Sequence, residues 1–321
     1  MKKRTKAAVI IAISLIITGV IVFTATMFSL DFDFSKLDNS VYVTNTYEYT
    51  DGVKNIKADL DSTDIKVLPS EDDTLKVVCN EKEDAPHRVS VEGDTLIIEN
   101  TEKEWYEYLS VVNIDRSEIT LYIPEKFATA VIIYSNDYTG TAYTSVYNID
   151  LETDTGDITV EDFNYLKSVT AETDTGDIYL YNSNISIIKA QADTGNINIR
   201  KVTSSVSLET ETDTGHTTIE KCNLTDITAE ASTGDITFRE VNTLKIITAE
   251  TSTGDITFEK SDAENIYAKA STGDITGSVL SIKTFKADSS IGKVTVPNTT
   301  GTGIFEAKTS TGDINLFYYT E

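Results

Sequence analysis

Nine of the 16 glycines in this 321-residue chain recur at a nearly constant spacing through its second half. Each glycine sits in the string T-G-D-I or a close variant of it. The intervals between them are 20, 19, 20, 19, 20, 19, 19 and 20 residues, for glycines at 156, 176, 195, 215, 234, 254, 273, 292 and 312. A fixed period of this length indicates a repeat architecture, in which each repeat is one small structural unit.

Fixed positions around each glycine carry fixed chemistry. The residue seven places before the glycine is always apolar, and the residue five places before it is usually alanine. The residues two and four places after it are mostly Ile, Val, Leu or Phe. Apolar residues at a spacing of two predict two short strands per repeat, each with one buried face. The glycine between them is typical of a corner with positive φ.

Two all-β architectures fit this pattern. An antiparallel meander would turn at each glycine, but its wide sheet would need a separate layer over its apolar face. A parallel β-solenoid wraps each repeat into one coil and encloses its own core, so we predict a solenoid of about 19–20 residues per coil. A third inward column is predicted seven places after the glycine, at Phe163, Val202, Cys222, Val241 and Leu280.

The amino terminus predicts a membrane anchor. Residues 1–6 are basic, and residues 7–30 contain no charged side chain and are long enough to span a bilayer. A cleavable signal peptide is the alternative, although this apolar segment is longer than usual for one and lacks a good cleavage site. The basic flank predicts a single-pass protein in the cell membrane, with a cytoplasmic amino terminus and an extracellular carboxy-terminal domain.

The remaining chain divides into three predicted parts. Residues 31–40 are a linker, residues 41–140 are strand-rich or form degenerate coils, and residues 141–321 form the regular solenoid. The stretch 59–67 resembles the stretch 152–160, with Thr63 in the position of the glycine. This similarity indicates that the repeat begins before residue 141.

The S-T-G-D-I-T-F units, the preceding I-T-L-Y-I-P segment and the amino-terminal anchor together resemble a known bacterial family. Its members are β-strand-repeat domains of unknown function that carry the label putative adhesin. Some members are membrane-anchored and associated with cell-envelope stress systems. The resemblance covers roughly residues 40–321 and implies no catalytic residues.

Composition excludes several classes of function. With 27 Lys and Arg against 52 Asp and Glu, the net charge is -25, which is unsuited to nucleic-acid binding. Two cysteines exclude a disulfide-dense scaffold and a four-thiolate zinc site, and their apolar surroundings predict buried free thiols. Uniform repeats and only five arginines favour a non-enzymatic protein over a carbohydrate-active β-helix enzyme.

The aspartates beside the glycines are the candidate binding residues. Stacked coils would bring these carboxylates about 5 Å apart, which favours either weak Ca²⁺ or Mg²⁺ binding or local hydrogen bonds to the backbone. No other cofactor is predicted. One column follows the glycine directly and the other precedes it by two places: Asp157, Asp177, Asp235, Asp255, Asp274 and Asp313, and Asp154, Asp174, Asp193 and Asp213.

Three smaller features complete the predictions. His87 and His216, the two histidines, are both predicted to be surface residues. The segment Trp105-Tyr106-Glu107-Tyr108 is either an aromatic cluster over the core or a contact patch for a sugar or protein. The last repeat ends without a polar cap, which predicts self-association or partner docking through the carboxy-terminal coil.

Together these features predict an interaction or structural module at the cell envelope. Similar outward side chains on every coil would let weak contacts add. The expected partner is an envelope protein or a wall polymer, and an anionic polymer would need divalent cations as a bridge. The membrane is contacted through residues 7–30.

Overall fold

The computed structural model describes residues 3–29, 31–32, 40–50, 52–72, 74–101, 117–125, 129–135, 138–144, 147–204 and 206–319. The chain divides into two compact units. The first unit comprises residues 1–42 and 102–115, and the second comprises residues 43–101 and 116–321. The aromatic segment 105–108 lies outside the described residues.

The described residues of the first unit form one helix, α1 (Lys3–Ser29). Large apolar residues such as Ile, Val, Leu and Phe dominate its sequence. Among the described residues, no helix combines the length and the apolarity required to cross a bilayer.

The second unit is all-β, as predicted, and consists mainly of two long sheets. Its described residues place 13 strands in sheet A: β1 (Tyr42–Tyr49), β3 (Asp64–Ser70), β4 (Leu75–Lys82), β7 (Glu118–Pro124), β11 (Ile158–Glu161), β13 (Ile178–Tyr181), β15 (Ile197–Arg200), β17 (Thr217–Glu220), β19 (Ile236–Arg239), β21 (Ile256–Glu259), β23 (Ile275–Val279), β25 (Val294–Thr295) and β27 (Ile314–Tyr318).

Sheet B faces it across the core. In the same part of the chain it has 12 strands: β2 (Asn55–Leu60), β5 (Arg88–Glu92), β6 (Thr95–Glu99), β10 (Asn148–Thr155), β12 (Leu166–Thr175), β14 (Ile185–Thr194), β16 (Ser207–Thr214), β18 (Asn223–Thr233), β20 (Asn242–Thr253), β22 (Asn265–Thr272), β24 (Lys283–Ile291) and β26 (Gly303–Thr311). A separate hairpin joins β8 (Thr129–Ser135) to β9 (Tyr138–Thr144).

Successive coils pair in parallel, and equivalent residues lie side by side. Ile149 pairs with Val169 in sheet B, and Ile158 pairs with Ile178 in sheet A. The parallel β-solenoid is therefore confirmed, and the antiparallel meander is excluded for the repeats. The inward columns are fully buried through most of the stack, because each coil covers the apolar side chains of the next.

Close stacking explains the glycine at the first corner of each coil. A methyl group on Gly234 would overlap the carbonyl oxygen of Gly215 and would lie 2.6 Å from its carbonyl carbon. The φ of Gly234 is also +147°, a conformation that side chains disfavour. Gly156 makes the same close approach to the Thr63 backbone, which confirms that Thr63 occupies the glycine position of an earlier coil.

In the six coils with glycines 156 to 254, a second corner lies six places after the glycine, and the sequence did not reveal it. Residues there have φ between 48° and 68° without being glycine. The corners are at Asp162, Asn182, Lys201, Lys221, Glu240 and Lys260. The next residue points inward and forms the predicted third column. Phe163, Val202, Cys222 and Val241 are buried there, but Leu280 is 48% exposed and Val279 takes its place in the core.

The order of coils in the amino-terminal part of this unit differs from their order in the chain. The coil β2/β3 stacks directly on β10/β11, with Asp59 beside Glu152 and Val67 beside Val160. The later coil β6/β7 stacks outside β2/β3, and strands β4 and β5 then pair with it in antiparallel fashion. The described residues between 41 and 140 thus include two coils and an antiparallel layer, and β1 forms the edge of sheet A.

The carboxy-terminal coils are also stacked out of chain order. The last coil, β26/β27, lies between β22/β23 and β24/β25. The prediction that the last repeat is the uncovered one is therefore wrong. The uncovered coil is β24/β25, because the chain passes over one position in the stack and then returns to fill it.

Lys283 fixes this arrangement. Its side chain is only 4% exposed and reaches from β24 toward the coil on the far side of β26. The ammonium group lies 2.8 Å from Oδ1 of Asp262 and also donates to the carbonyl of Ala263. Gly303 lies between these two coils, and a methyl group there would be 3.4 Å from the Lys283 side chain.

Candidate interaction surface

The residues directly after the corner glycines form a continuous hydrogen-bonded ladder. Oδ1 of Asp157 accepts the backbone N–H of Asp177 at 2.8 Å. Asp235 and Asp255 accept from the next coil in the same way, at 2.8 and 2.7 Å. Each of these side chains therefore satisfies a backbone donor that the corner leaves outside the two sheets.

The interruptions of this aspartate column preserve its chemistry. Oδ1 of Asn196 accepts the N–H of His216 at 3.0 Å, and Nδ1 of His216 accepts the N–H of Asp235 at 3.0 Å. Asp313 in turn accepts the N–H of Lys293 at 2.7 Å. Lys293 has no acceptor atom, and it stands on the outermost coil, where the stack offers no further donor.

One carboxylate oxygen of each aspartate in the first column takes part in this ladder. The sequence predicted hydrogen bonds from these carboxylates to the nearby backbone. The bonds are present, but each carboxylate binds the backbone of the neighbouring coil and not its own. Within the described residues, no group of three or more His, Cys, Asp or Glu side chains is arranged to hold a metal ion. Divalent-cation binding stays a prediction.

The second aspartate column is exposed and covers only the first half of the repeats. Asp154, Asp174, Asp193 and Asp213 all lie on the outside of sheet B. Serines continue the column in later coils, and Ser232 donates to Oδ1 of Asp213 at 3.1 Å. The two columns of candidate aspartates thus differ in position, since one accepts backbone N–H groups at the corners and the other stands on the outer surface of sheet B.

A third acidic column escaped the sequence analysis. It stands four places before Thr63 and before the glycines from 156 to 254. Strand pairing aligns its members in one row across sheet B: Asp59, Glu152, Glu172, Gln191, Glu211, Glu230 and Glu250. Burial and the neighbouring Asp59 and Glu172 raise the pKa of Glu152. This column could have been found from the sequence, because its acidic residues recur at one fixed distance from the glycine. The apolar columns alone were used to predict the fold.

We name the outward side of β10, β12, β14, β16, β18 and β20 the acidic face. It combines the residues two and four places before the glycine: Glu152, Asp154, Glu172, Asp174, Asp193, Glu211, Asp213, Glu230 and Glu250. Two of these carboxylates have lysine partners. Lys189 lies 2.6 Å from Glu172, and Lys269 lies 2.8 Å from Glu250.

The outward side of sheet A is different in charge. Its long side chains alternate in sign from coil to coil and pair with each other. Arg239 lies 3.1 Å from Glu259, Arg200 lies 3.8 Å from Glu220, and Lys66 lies 2.8 Å from Glu161. The negative charge of the repeats is therefore concentrated on one of the two sheets.

The prediction for the two histidines is correct for His216 and wrong for His87. The side chain of His216 is 62% exposed, whereas that of His87 is 4% exposed. Nδ1 of His87 lies 2.7 Å from Oε2 of Glu81, which places the ring proton on Nδ1. Asn45 also donates to Glu81, and Nε2 of His87 lies 3.1 Å from the hydroxyl of Thr63.

This buried cluster has the order carboxylate, imidazole, hydroxyl, but all three groups lie in the protein interior. Glu81 is 0% and Thr63 is 2% exposed, so no substrate can reach the hydroxyl in this structure. Its evident role is to join the loop before β5 to strand β4 and to the first corner of the stack. Sequence alone gave no signal for it, because the three residues are not regularly spaced.

Both cysteines are free and buried, as predicted. Burial raises the pKa of the Cys79 thiol to about 12 and that of the Cys222 thiol to about 11. Both sulfur atoms are therefore protonated and unreactive near neutral pH.

A comparison with protein families matches this solenoid. The family described as Toastrack DUF4097 matches residues 53–256 and 240–320. The chain belongs to the Toastrack DUF4097 family. The matched segments begin just before β2 and extend past β27, so they coincide with the coils of this Toastrack domain and leave α1 outside.

Two solved structures are similar to this Toastrack chain. One is described as a putative adhesin from Bacteroides fragilis NCTC 9343, with 14% identity, a TM-score of 0.48, and coverage of 86% of this chain and 97% of that one. The other is described as a putative cell adhesion protein from Clostridium sporogenes ATCC 15579, with 12% identity, a TM-score of 0.23, and coverage of 87% and 100%. A comparison with curated proteins found no match.

Proposed function

We propose that this Toastrack chain is a non-enzymatic interaction module at the cell envelope that binds a basic protein surface along its acidic face. Residues 7–30 anchor it in the cell membrane, with the amino terminus in the cytoplasm and the solenoid outside. The observation that carries the proposal is the asymmetry of charge between the two sheets.

The spacing of the carboxylates supports a multivalent contact. Glu211 and Glu230 are direct partners in adjacent strands, so their backbones lie about 4.8 Å apart. Each contact between exposed charges contributes little, about 0–1 kcal/mol. A partner with several positive charges at the same spacing gains affinity from many such contacts.

The sign of the charge selects the partner class. An anionic wall polymer would be repelled by the acidic face unless divalent cations bridged the two. A basic protein segment needs no such bridge, so its binding weakens with salt and is indifferent to chelators.

The binding test uses the purified full chain in detergent and a lysine-rich peptide as the probe. Glu211→Gln with Glu230→Gln should weaken peptide binding about threefold to tenfold, because two central contacts are lost. The matched control is Asp162→Asn with Glu240→Gln, which makes the same change in net charge at the second corner.

Equal weakening by both double variants would contradict a specific face and indicate a general charge effect. Binding of an anionic wall polymer only in the presence of Ca²⁺ would favour the wall-polymer alternative. The anchor is tested separately by extracting membranes with alkaline carbonate. The full chain should stay in the membrane pellet, whereas a chain that lacks residues 1–30 should be released.

A further inference from the structure

The coil β24/β25 leaves one end of the core uncovered. Among the described strands, β24 is the last of sheet B and β25 is the last of sheet A. Val294 is 40% exposed, whereas its partner in the covered coil, Ile314, is 0% exposed. Phe285 is half-buried beside the fully buried Phe305. An apolar end with an unpaired strand edge favours association through that edge.

The charge of this coil differs from that of the rest of the chain. Residues 281–302 contain three lysines and one aspartate, in a chain with a net charge of -25. The exposed face of β24 carries Lys286 and Asp288, which lie beside Glu306 and Lys308 of β26. Opposite charges therefore already alternate across these two strands.

The ladder of side-chain acceptors argues against continuing the stack in parallel. A further parallel coil would present its backbone N–H to residue 293, as every covered coil does to its neighbour. Lys293 has no acceptor to offer, so that donor would lose its hydrogen bond. The open edge therefore suits an antiparallel partner strand.

We infer that the occupant of this edge is a second copy of the chain, which pairs its own β24 antiparallel to this one. The two-fold axis passes Ala287, so that Lys286 lies opposite the partner's Asp288 and Asp288 lies opposite the partner's Lys286. The alternation of charges then continues across the interface. The inward residues Phe285 and Ala287 of both copies join into one core.

Charge also fixes the register of this pair. Sliding the strands by two residues places Lys286 opposite the partner's Lys286, or Asp288 opposite the partner's Asp288. Like charges in direct opposition destabilise a strand pair. Sliding by one residue would put the inward side chains on the outside, which the period of two along a strand forbids.

The pairing has a consequence for the whole solenoid. Strand β1 lies at the opposite end of sheet A from β25. A head-to-head pair therefore holds the two β1 strands far apart, at about twice the 58 Å that 12 strand spacings of about 4.8 Å give. This geometry suits a link between two surfaces, and the inference does not depend on the proposed binding of a basic partner.

The test uses charge reversal in the full chain, measured by sedimentation equilibrium in density-matched detergent. Lys286→Glu alone should weaken self-association about tenfold, because the introduced carboxylate would face the partner's Asp288 in both cross-strand pairs. Asp288→Lys alone should do the same. An equimolar mixture of the two variants should recover association, since the introduced carboxylate then faces the introduced ammonium in one cross-strand pair and the native Asp288 faces the partner's native Lys286 in the other.

The control is Lys245→Glu, an equal charge change on a covered coil, which should leave association unchanged.

Cysteine pairs test the register: Lys286→Cys and Asp288→Cys chains should form a disulfide when mixed and not when alone. A monomeric wild-type chain, or failure of the mixture to recover association, would overturn the inference. Cross-linking by Lys286→Cys alone would overturn the register.

Discussion

The side chain after each corner glycine must accept a hydrogen bond, and its charge is secondary to this requirement. Asn196 and His216 replace aspartate without breaking the ladder, since an amide oxygen and an imidazole nitrogen also accept. Lys293 is found only where the stack ends. The aspartates of this column thus bind backbone donors of the next coil, and binding of Ca²⁺ or Mg²⁺ by the same carboxylates stays a prediction.

The corner glycines are constrained by stacking as well as by φ, and a pair of substitutions separates these effects. Gly234→Ala should lower the free energy of unfolding by about 4 kcal/mol or more, because its methyl group would overlap the Gly215 backbone. Gly93→Ala, with φ at +65° and no atom within 4 Å of the added methyl, should cost only about 1–2 kcal/mol.

Urea unfolding of the full chain measures both values. Similar losses for the two variants would show that conformation alone accounts for the glycines, and the close approach of adjacent coils would then carry no penalty.

At the scale of the element, each coil is two strands joined by two different corners. The first corner uses glycine, while the second uses Asp, Asn, Lys or Glu in a left-handed conformation. Only Asn and Asp adopt this conformation readily, so the lysine and glutamate corners carry a conformational cost. The adjoining inward residue at the third column, such as Val202, offsets this cost by its burial.

Lys201→Gly should therefore stabilise the protein. Relief of the left-handed conformation is worth about 1–2 kcal/mol, and the greater freedom of unfolded glycine removes about 0.5–1 kcal/mol of that gain. The thermal midpoint should rise by a degree or more. The matched control is Lys167→Gly, an exposed lysine within β12, which should lower the midpoint because no left-handed strain is relieved there. A lower midpoint for Lys201→Gly would contradict the assigned strain.

At the scale of the whole molecule, stability should fall at alkaline pH. Burial raises the pKa of the Cys79 and Cys222 thiols, so both stay protonated in the folded state after unfolded thiols have ionised. The stabilising difference is complete below about pH 8, under the unfolded thiol pKa of about 8.5, and is lost as pH rises toward the folded-state pKa values. Each thiol should cost about 1 kcal/mol of unfolding free energy between pH 8 and 10.

Cys222→Ser isolates one of these contributions. Ser183 and Ser261 occupy the equivalent position in other coils, and each accepts a backbone N–H and donates to a carbonyl as Cys222 does. The variant should fold normally and lose less stability than the wild type between pH 8 and 10. Identical pH slopes for the two proteins would contradict the raised thiol pKa.

Sequence alone predicted the period, the two buried strands of each coil, the parallel solenoid and the buried thiols. These properties follow from local repetition, because the same residue types recur at the same distance from each glycine and equivalent residues stack on each other. The match between 59–67 and 152–160 extended this logic correctly across 93 residues.

The structure alone reveals which coil touches which. The coils β2/β3 and β26/β27 each have, on one side, a coil that is not their neighbour in the chain, and the contacts of Lys283 and of His87 with Glu81 and Thr63 contribute to this arrangement. A repeated pattern makes every coil a compatible neighbour of every other, so it cannot specify their order. The order is set by contacts between irregular residues that no period relates, and it determines which edge of the molecule is left open.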